Sequence, residues 1–165
     1  MAMKIYFDNA ATTPIDPVVL AEMMPYLTDI FGNPSSIHEY GRKAKAAVEK
    51  SRKIVAKYLN ASAAEVFFTS CGTESNNMVI KQAVANLGVK RIISSPTEHH
   101  CVLHTVKTEG SKGVLVEYVQ VNAKGDIDVA HLETLLAAQP ETKTLVSLMH
   151  ANNEIGNLLD MERVG

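Results

Sequence analysis

Tryptophan is absent from this 165-residue sequence, and aromatic residues make up only 5% of it. That scarcity argues against a base-stacking surface for nucleic acid. The charge balance agrees, because 16 Lys and Arg against 18 Asp and Glu leave a formal net charge of -2. A near-neutral chain lacks the excess positive charge that binds nucleic acid or an acidic membrane surface. The composition does not exclude a local basic patch.

Cysteine is also scarce, and no long apolar run occurs. Two cysteines, Cys71 and Cys101, cannot build a disulfide framework. No stretch approaches the ~18 apolar residues of a membrane span, and the apolar stretch at the start is far too short for a signal peptide. The sequence therefore predicts a protein of a reducing compartment, with the cytoplasm as the default.

Apolar runs alternate with amphipathic stretches along the chain. This order predicts β–α units and a mostly parallel sheet flanked by helices, in an α/β domain. Asp16-Pro17 and Asp128 are typical helix starts, and Gly88 is a typical helix stop. The predicted helices are 16–31, 38–60, 73–86, 99–109 and 129–138, and the predicted strands are 65–69, 91–95, 114–121 and 144–149.

The stretch 67–77 leads from a predicted strand through small residues into a helix. Such a turn directs backbone N–H groups and the positive helix end at one point, which suits an anion such as phosphate, and Thr73 adds a hydroxyl. It matches neither common nucleotide-binding loop. A plain turn in which Thr73 caps the helix explains the same residues at least as well.

Two further polar stretches follow predicted strands. Glu98-His99-His100-Cys101 follows 91–95, and an imidazole there could stack on a planar ring or move a proton. His100 and His104 share the spacing of a zinc pair and Cys101 is nearby, but no fourth ligand is evident, so surface or helix-packing histidines are preferred.

The other stretch, 148–156, follows the strand 144–149 and contains Asn152 and Asn153. Amides there can donate and accept hydrogen bonds, although a polar turn is an equal reading. Ligands bind at the carboxyl edge of parallel sheets. An anion site, an imidazole and an amide at one edge suit a phosphorylated aromatic cofactor.

Five ordered motifs resemble one enzyme family. The segments 6–14 (YFDNAATTP), 32–38 (GNPSSIH), 68–77 (FTSCGTESNN), 97–100 (TEHH) and 152–156 (NNEIG) look like NifS/IscS-type cysteine desulfurases. These belong to the class V aminotransferase group of fold-type I pyridoxal 5'-phosphate (PLP) enzymes. The resemblance implies that the chain is the first part of the large domain of such an enzyme.

The resemblance also implies residue roles. Thr73, with the backbone of Gly72, holds the PLP phosphate, and His99 stacks on the pyridine ring and assists proton transfer. Asn152, in preference to Asn153, binds the phenolic oxygen of PLP or the substrate carboxylate. The family converts L-cysteine to L-alanine, works as a homodimer, and passes persulfide sulfur to an iron–sulfur scaffold or thiolation partner.

The family's PLP lysine, its Asp partner for the ring nitrogen and its persulfide-forming cysteine match nothing in 1–165. Cys71 and Cys101 are interpreted as structural. The expected organisation is an arm over 1–14 and a truncated PLP-binding domain over 15–165, inactive by itself. Asp160 predicts the cap of a further helix.

Two alternatives remain open at this stage. One is another class V enzyme, such as a selenocysteine lyase or an aminotransferase. The other is a non-catalytic scaffold protein of 165 residues.

Overall fold

The computed structural model describes residues 5–165, so the first four residues of the predicted arm lie outside it. The chain divides into two compact units, one ending at Phe68 and the other spanning Thr69–Gly165. The predicted boundary between an arm and a domain at residue 14 stays a prediction. The elements are α1 (Pro17–Thr28), α2 (Glu39–Tyr58), a short 3-10 helix (Ala63–Glu65), α3 (Gly72–Leu87), β1 (Arg91–Ser94), α4 (His100–Ser111), β2 (Leu115–Tyr118), α5 (Val129–Ala138), β3 (Thr144–Val146) and α6 (Met161–Val164).

The first unit consists of α1, α2 and the 3-10 helix. Asp16 caps α1 as predicted, because its carboxylate accepts the Val18 N–H at 2.7 Å and Pro17 occupies the first turn. No residue of α1 is buried. On the long helix α2, the Arg52 guanidinium donates to the Val66 carbonyl and lies 5.2 Å from the centre of the Phe68 ring.

The predicted strand over 65–69 is wrong. The Glu65 carboxylate accepts from the backbone N–H and the hydroxyl of Ser62, at 2.8 and 2.7 Å, and closes a capping box that bends the chain into the 3-10 helix. Val66 is extended after this turn, but no described segment pairs with it. A β-prone sequence becomes a strand only when a neighbour completes the ladder.

The second unit is a parallel three-stranded sheet in the order β2-β1-β3, which confirms the predicted α/β class. Ile92 and Ile93 are fully buried on opposite faces of the central strand, because successive side chains alternate across a sheet. Ile92 packs with Ile80 of α3 and Val106 of α4. Ile93 packs with Val119 and with Leu132 of α5. The sheet therefore has helices on both faces.

Helix ends in the second unit follow local capping chemistry. Asp128 caps α5 and Asp160 caps α6, as predicted, through carboxylates that accept the N–H groups of His131 and Arg163. Gly88 ends α3 in a left-handed conformation with φ of 72°. Helix α4 runs on to Ser111, past Gly110, where the sequence predicted its end. Within the described part of the chain, no helix has the length and hydrophobicity needed to cross a membrane.

Candidate cofactor-binding site

The first turns of α3 and α4 contribute to one cleft, which we call the Thr73–His99 cleft. Its volume is about 410 Å³, and it is lined by Thr73, Asn77, Lys81, His99, His100, Cys101, His104, Thr105 and Thr108. Small-molecule sites have volumes of this order. The structure thus brings together Thr73 and His99, two of the residues that the sequence assigned to one site.

Helix α3 begins at Gly72, immediately after the exposed Cys71. A Cβ atom added at Gly72 would meet nothing within 4 Å, so open space adjoins the first turn of this helix. The backbone N–H of Glu74, and then the Ser70 hydroxyl, hold the pKa of the Cys71 thiol below its ordinary value. The start of α3 therefore favours negative charge, which is the property a phosphate site requires.

The Ser70 turn before α3 is closed by a side chain of the helix itself. The Glu74 carboxylate accepts from the Ser70 hydroxyl and from its backbone N–H, both at 2.7 Å, and these bonds lower the pKa of Glu74. The hydroxyls of Thr69 and Ser75 form a hydrogen bond of 2.7 Å across the same turn. The turn is thereby fixed by its own side chains, and Thr73, in the first turn of α3, lines the cleft.

His99 is the N-cap of α4, and its exposed ring stands at the start of this helix. Its Nδ1 atom accepts the Cys101 backbone N–H at 3.1 Å and lies 2.9 Å from the Cys101 Sγ atom. A nitrogen that accepts an N–H carries no proton, so Nε2 is the ring nitrogen left to donate toward a ligand. The sulfur of Cys101 also accepts from the Asn76 amide at 3.2 Å, which ties α4 to α3.

Asn152 lies apart from the Thr73–His99 cleft. It lines a second cavity of about 230 Å³, which also contains Thr97, Glu98, Asp126, Met149, Asp160 and Arg163. Its Oδ1 atom accepts the backbone N–H groups of Glu154 and Ile155, at 2.9 and 3.2 Å. Its Nδ2 atom donates to the Thr97 carbonyl at 2.9 Å, which leaves one amide hydrogen for another partner.

Sequence reasoning missed several residues of these cavities. Thr73, Asn77 and Lys81 lie four residues apart on α3, and this spacing, which places side chains on one helix face, could have identified the last two. His100 and His104 have ring centres 5.9 Å apart, nearly perpendicular to one another. Among the described residues, no three side chains of the metal-ligating types are grouped for metal binding.

The sequence matches known proteins along its described length. The model of the family "Aminotransferase class-V" matches residues 5–165. Cysteine desulfurase 2 of Trichormus variabilis is 44% identical over 162 residues, which are 98% of this chain and 40% of that protein. The chain thus spans about 40% of the length of this curated relative.

Two solved structures share the fold. A NifS-like protein matches with a TM-score of 0.88 and 42% identity over 98% of this chain and 44% of its own. The structure of SspA in complex with cysteine matches with a TM-score of 0.86 and 36% identity, over 96% of this chain and 46% of its own. The chain belongs to the class V aminotransferase family.

Proposed function

We propose that this chain supplies the cofactor-phosphate and ring-binding part of a PLP-dependent cysteine desulfurase. The observation that carries the proposal is the Thr73–His99 cleft, in which Thr73 of the first turn of α3 and the imidazole of His99 line one cavity. A phosphate next to an aromatic ring is the combination that this pair of groups would recognise.

The residues present fit PLP. The open space at Gly72 leaves room for a phosphate against the first-turn N–H groups of α3, and the Thr73 hydroxyl can donate to it. His99 is exposed, so a pyridine ring can reach its imidazole face. The exposed Lys81 lines the same cleft and adds a positive charge.

In the proposed mechanism, PLP supplies the electron sink for the reaction of the amino-acid substrate. The start of α3 and Thr73 would bind and orient the phosphate. His99 would stack on the ring and would exchange a proton at Nε2, because its Nδ1 atom accepts the Cys101 N–H. Asn152 lines the separate, second cavity, and its remaining amide hydrogen would be its donor toward the phenolic oxygen or the substrate carboxylate.

The relatives support a proposal for the substrate. The curated relative is a cysteine desulfurase, and one structural neighbour was solved in complex with cysteine. We therefore propose that L-cysteine and an enzyme thiol give L-alanine and an enzyme persulfide, whose sulfur passes to an iron–sulfur scaffold or thiolation protein. We further propose a homodimer in the cytoplasm, where the free thiols of Cys71 and Cys101 stay reduced.

The test uses the protein translated from the complete reading frame that contains this chain. With PLP, L-cysteine and a thiol reductant, it should release L-alanine and sulfide in equal amounts, and His99→Ala should reduce both. Protein that binds PLP but releases neither product would overturn the desulfurase proposal. Release of selenide from L-selenocysteine alone would identify the lyase alternative instead.

A further inference from the structure

The two segments that carry His99 and Asn152 leave the sheet side by side. Strands β1 and β3 pair in parallel, with Ile93 opposite Val146. The pairing continues past the strands, because the Ser147 N–H donates to the Ile93 carbonyl at 2.9 Å and the Ser94 hydroxyl donates to the Ser147 carbonyl at 3.1 Å. Beyond these bonds each segment turns away, and backbone pairing between the two ends.

Two reciprocal bonds between side chain and backbone replace that pairing. The Glu98 carboxylate accepts the Met149 N–H, and the Asn152 amide donates to the Thr97 carbonyl at 2.9 Å. Each turn thus contributes one side chain to the backbone of the other. The residue before His99 and the residue Asn152 itself are therefore both part of this connection.

Glu98 is unusual because it is a carboxylic acid with only 8% of its surface exposed. Burial of a carboxylate is costly unless its hydrogen bonds are satisfied. Desolvation raises the pKa of Glu98, and the Met149 N–H opposes this shift. Asp126, Asp160 and Arg163 line the same cavity. A buried acid in this place is explained by the bond that it makes across the two turns.

We propose that Glu98 is a positioning residue that sets the placement of His99 relative to Asn152. The role in catalysis rests on the proposed function, whereas the coupling of the two turns rests on the contacts alone. Without the acceptor at Glu98, the Met149 N–H loses its buried partner, and of the two reciprocal bonds only the one from Asn152 to Thr97 remains.

The test is nuclear magnetic resonance, with selective isotope labelling and without cofactor, on the protein translated from the complete reading frame that contains this chain. Glu98→Leu removes the acceptor, whereas Glu98→Gln keeps an amide oxygen in its place. Glu98→Leu should shift the side-chain amide signal of Asn152 and the ring signals of His99, and speed Met149 amide exchange about tenfold or more. Glu98→Gln should restore all three toward wild type.

Glu109 provides the matched control. It is a buried carboxylate of α4, 3% exposed, and it pairs with Lys112 at 2.7 Å, away from both turns. Glu109→Leu removes a buried acid from the second unit too, but should leave the Asn152 and His99 signals unchanged. Equal shifts from Glu98→Leu and Glu109→Leu, or no rescue by Glu98→Gln, would overturn the proposal.

A measurement on the wild-type chain covers the case in which Glu98→Leu does not fold. The Met149 N–H should be protected from exchange to an extent similar to the Ser147 N–H, and an unprotected Met149 would contradict the contact. Sulfide release from the complete protein is scored separately. A coupled pair of turns in a protein without desulfurase activity would refute the proposed function and retain the coupling.

Discussion

At the scale of single residues, substitution of Thr73 is the most direct test of the proposed phosphate site. Thr73→Ala should weaken the binding of PLP roughly fivefold, because one net hydrogen bond contributes about 1 kcal/mol. Thr73→Ser keeps the hydroxyl and should bind as wild type does. The measurement is an absorbance titration with PLP and with pyridoxal, which lacks the phosphate. The alanine variant should not change the affinity for pyridoxal, and a similar loss for both ligands would contradict the assignment.

The raised pKa of the buried Glu98 carboxyl leads us to expect that the stability of the protein depends on pH. Its raised pKa means that the native state binds more protons than the unfolded state between the ordinary carboxyl value of 4.5 and the higher native value. The free energy of unfolding should therefore fall as pH rises through this window. Glu98→Gln removes this contribution. As pH rises through the window, the unfolding free energy of the variant should therefore increase relative to that of the wild type.

Urea unfolding at several pH values measures that difference. Asp126, Asp160 and Arg163 line the cavity beside Glu98 and are present in both proteins, so their own contributions largely cancel in the comparison. Parallel pH profiles for the two proteins would show that the Glu98 carboxyl is not desolvated.

The sequence could predict that Thr73 and His99 line one cleft, because each residue lies at the start of a helix that local sequence signals indicate. The burial of Glu98 could not be predicted in this way, although Glu98 is next to His99 in the sequence. Its burial depends on the backbone of Met149, which is 51 residues away along the chain. Neither periodicity nor composition records such a contact. The same limit applies to Asn152, whose two amide atoms are engaged by backbone groups of two different segments.

At the scale of elements, Gly88 is a sensitive position of α3. Its φ of 72° is left-handed, and a Cβ there would meet no other atom, so Gly88→Ala tests backbone strain alone. The variant should lose about 1 kcal/mol of stability. Gly72→Ala at the other end of α3 is the control, since that position is also open and lacks a positive φ. A comparable loss of stability from both variants would contradict the strain argument.

Helices were predictable and strands less so, for a physical reason. A helix forms its bonds within one segment and shows its ends through caps such as Asp16, Asp128 and Gly88. A strand forms its bonds with another segment. The sequence therefore located α5 over 129–138 correctly, whereas it placed a strand at 65–69 and extended β2 and β3 beyond Tyr118 and Val146.

At the scale of the whole molecule, burial differs sharply between elements, and hydrogen exchange should reflect this. All four residues of β1 are buried, and the strand is paired on both sides. Helix α1 has no buried residue, and its apolar side chains Val18 and Leu27 are 73% and 66% exposed. Amides of β1 should exchange at least ~100-fold more slowly than those of α1, because local opening of an unburied helix costs little free energy.

Mass spectrometry of deuterium uptake measures this contrast, and α2 gives an internal comparison. Helix α2 belongs to the same unit as α1 but buries Gly41, Ala44 and Ala56, so its exchange should be intermediate. Slow exchange in α1 that persists on dilution would contradict the predicted order of protection. Slow exchange in α1 that is lost on dilution would mean that a second copy covers this apolar helix in solution, because only association depends on concentration.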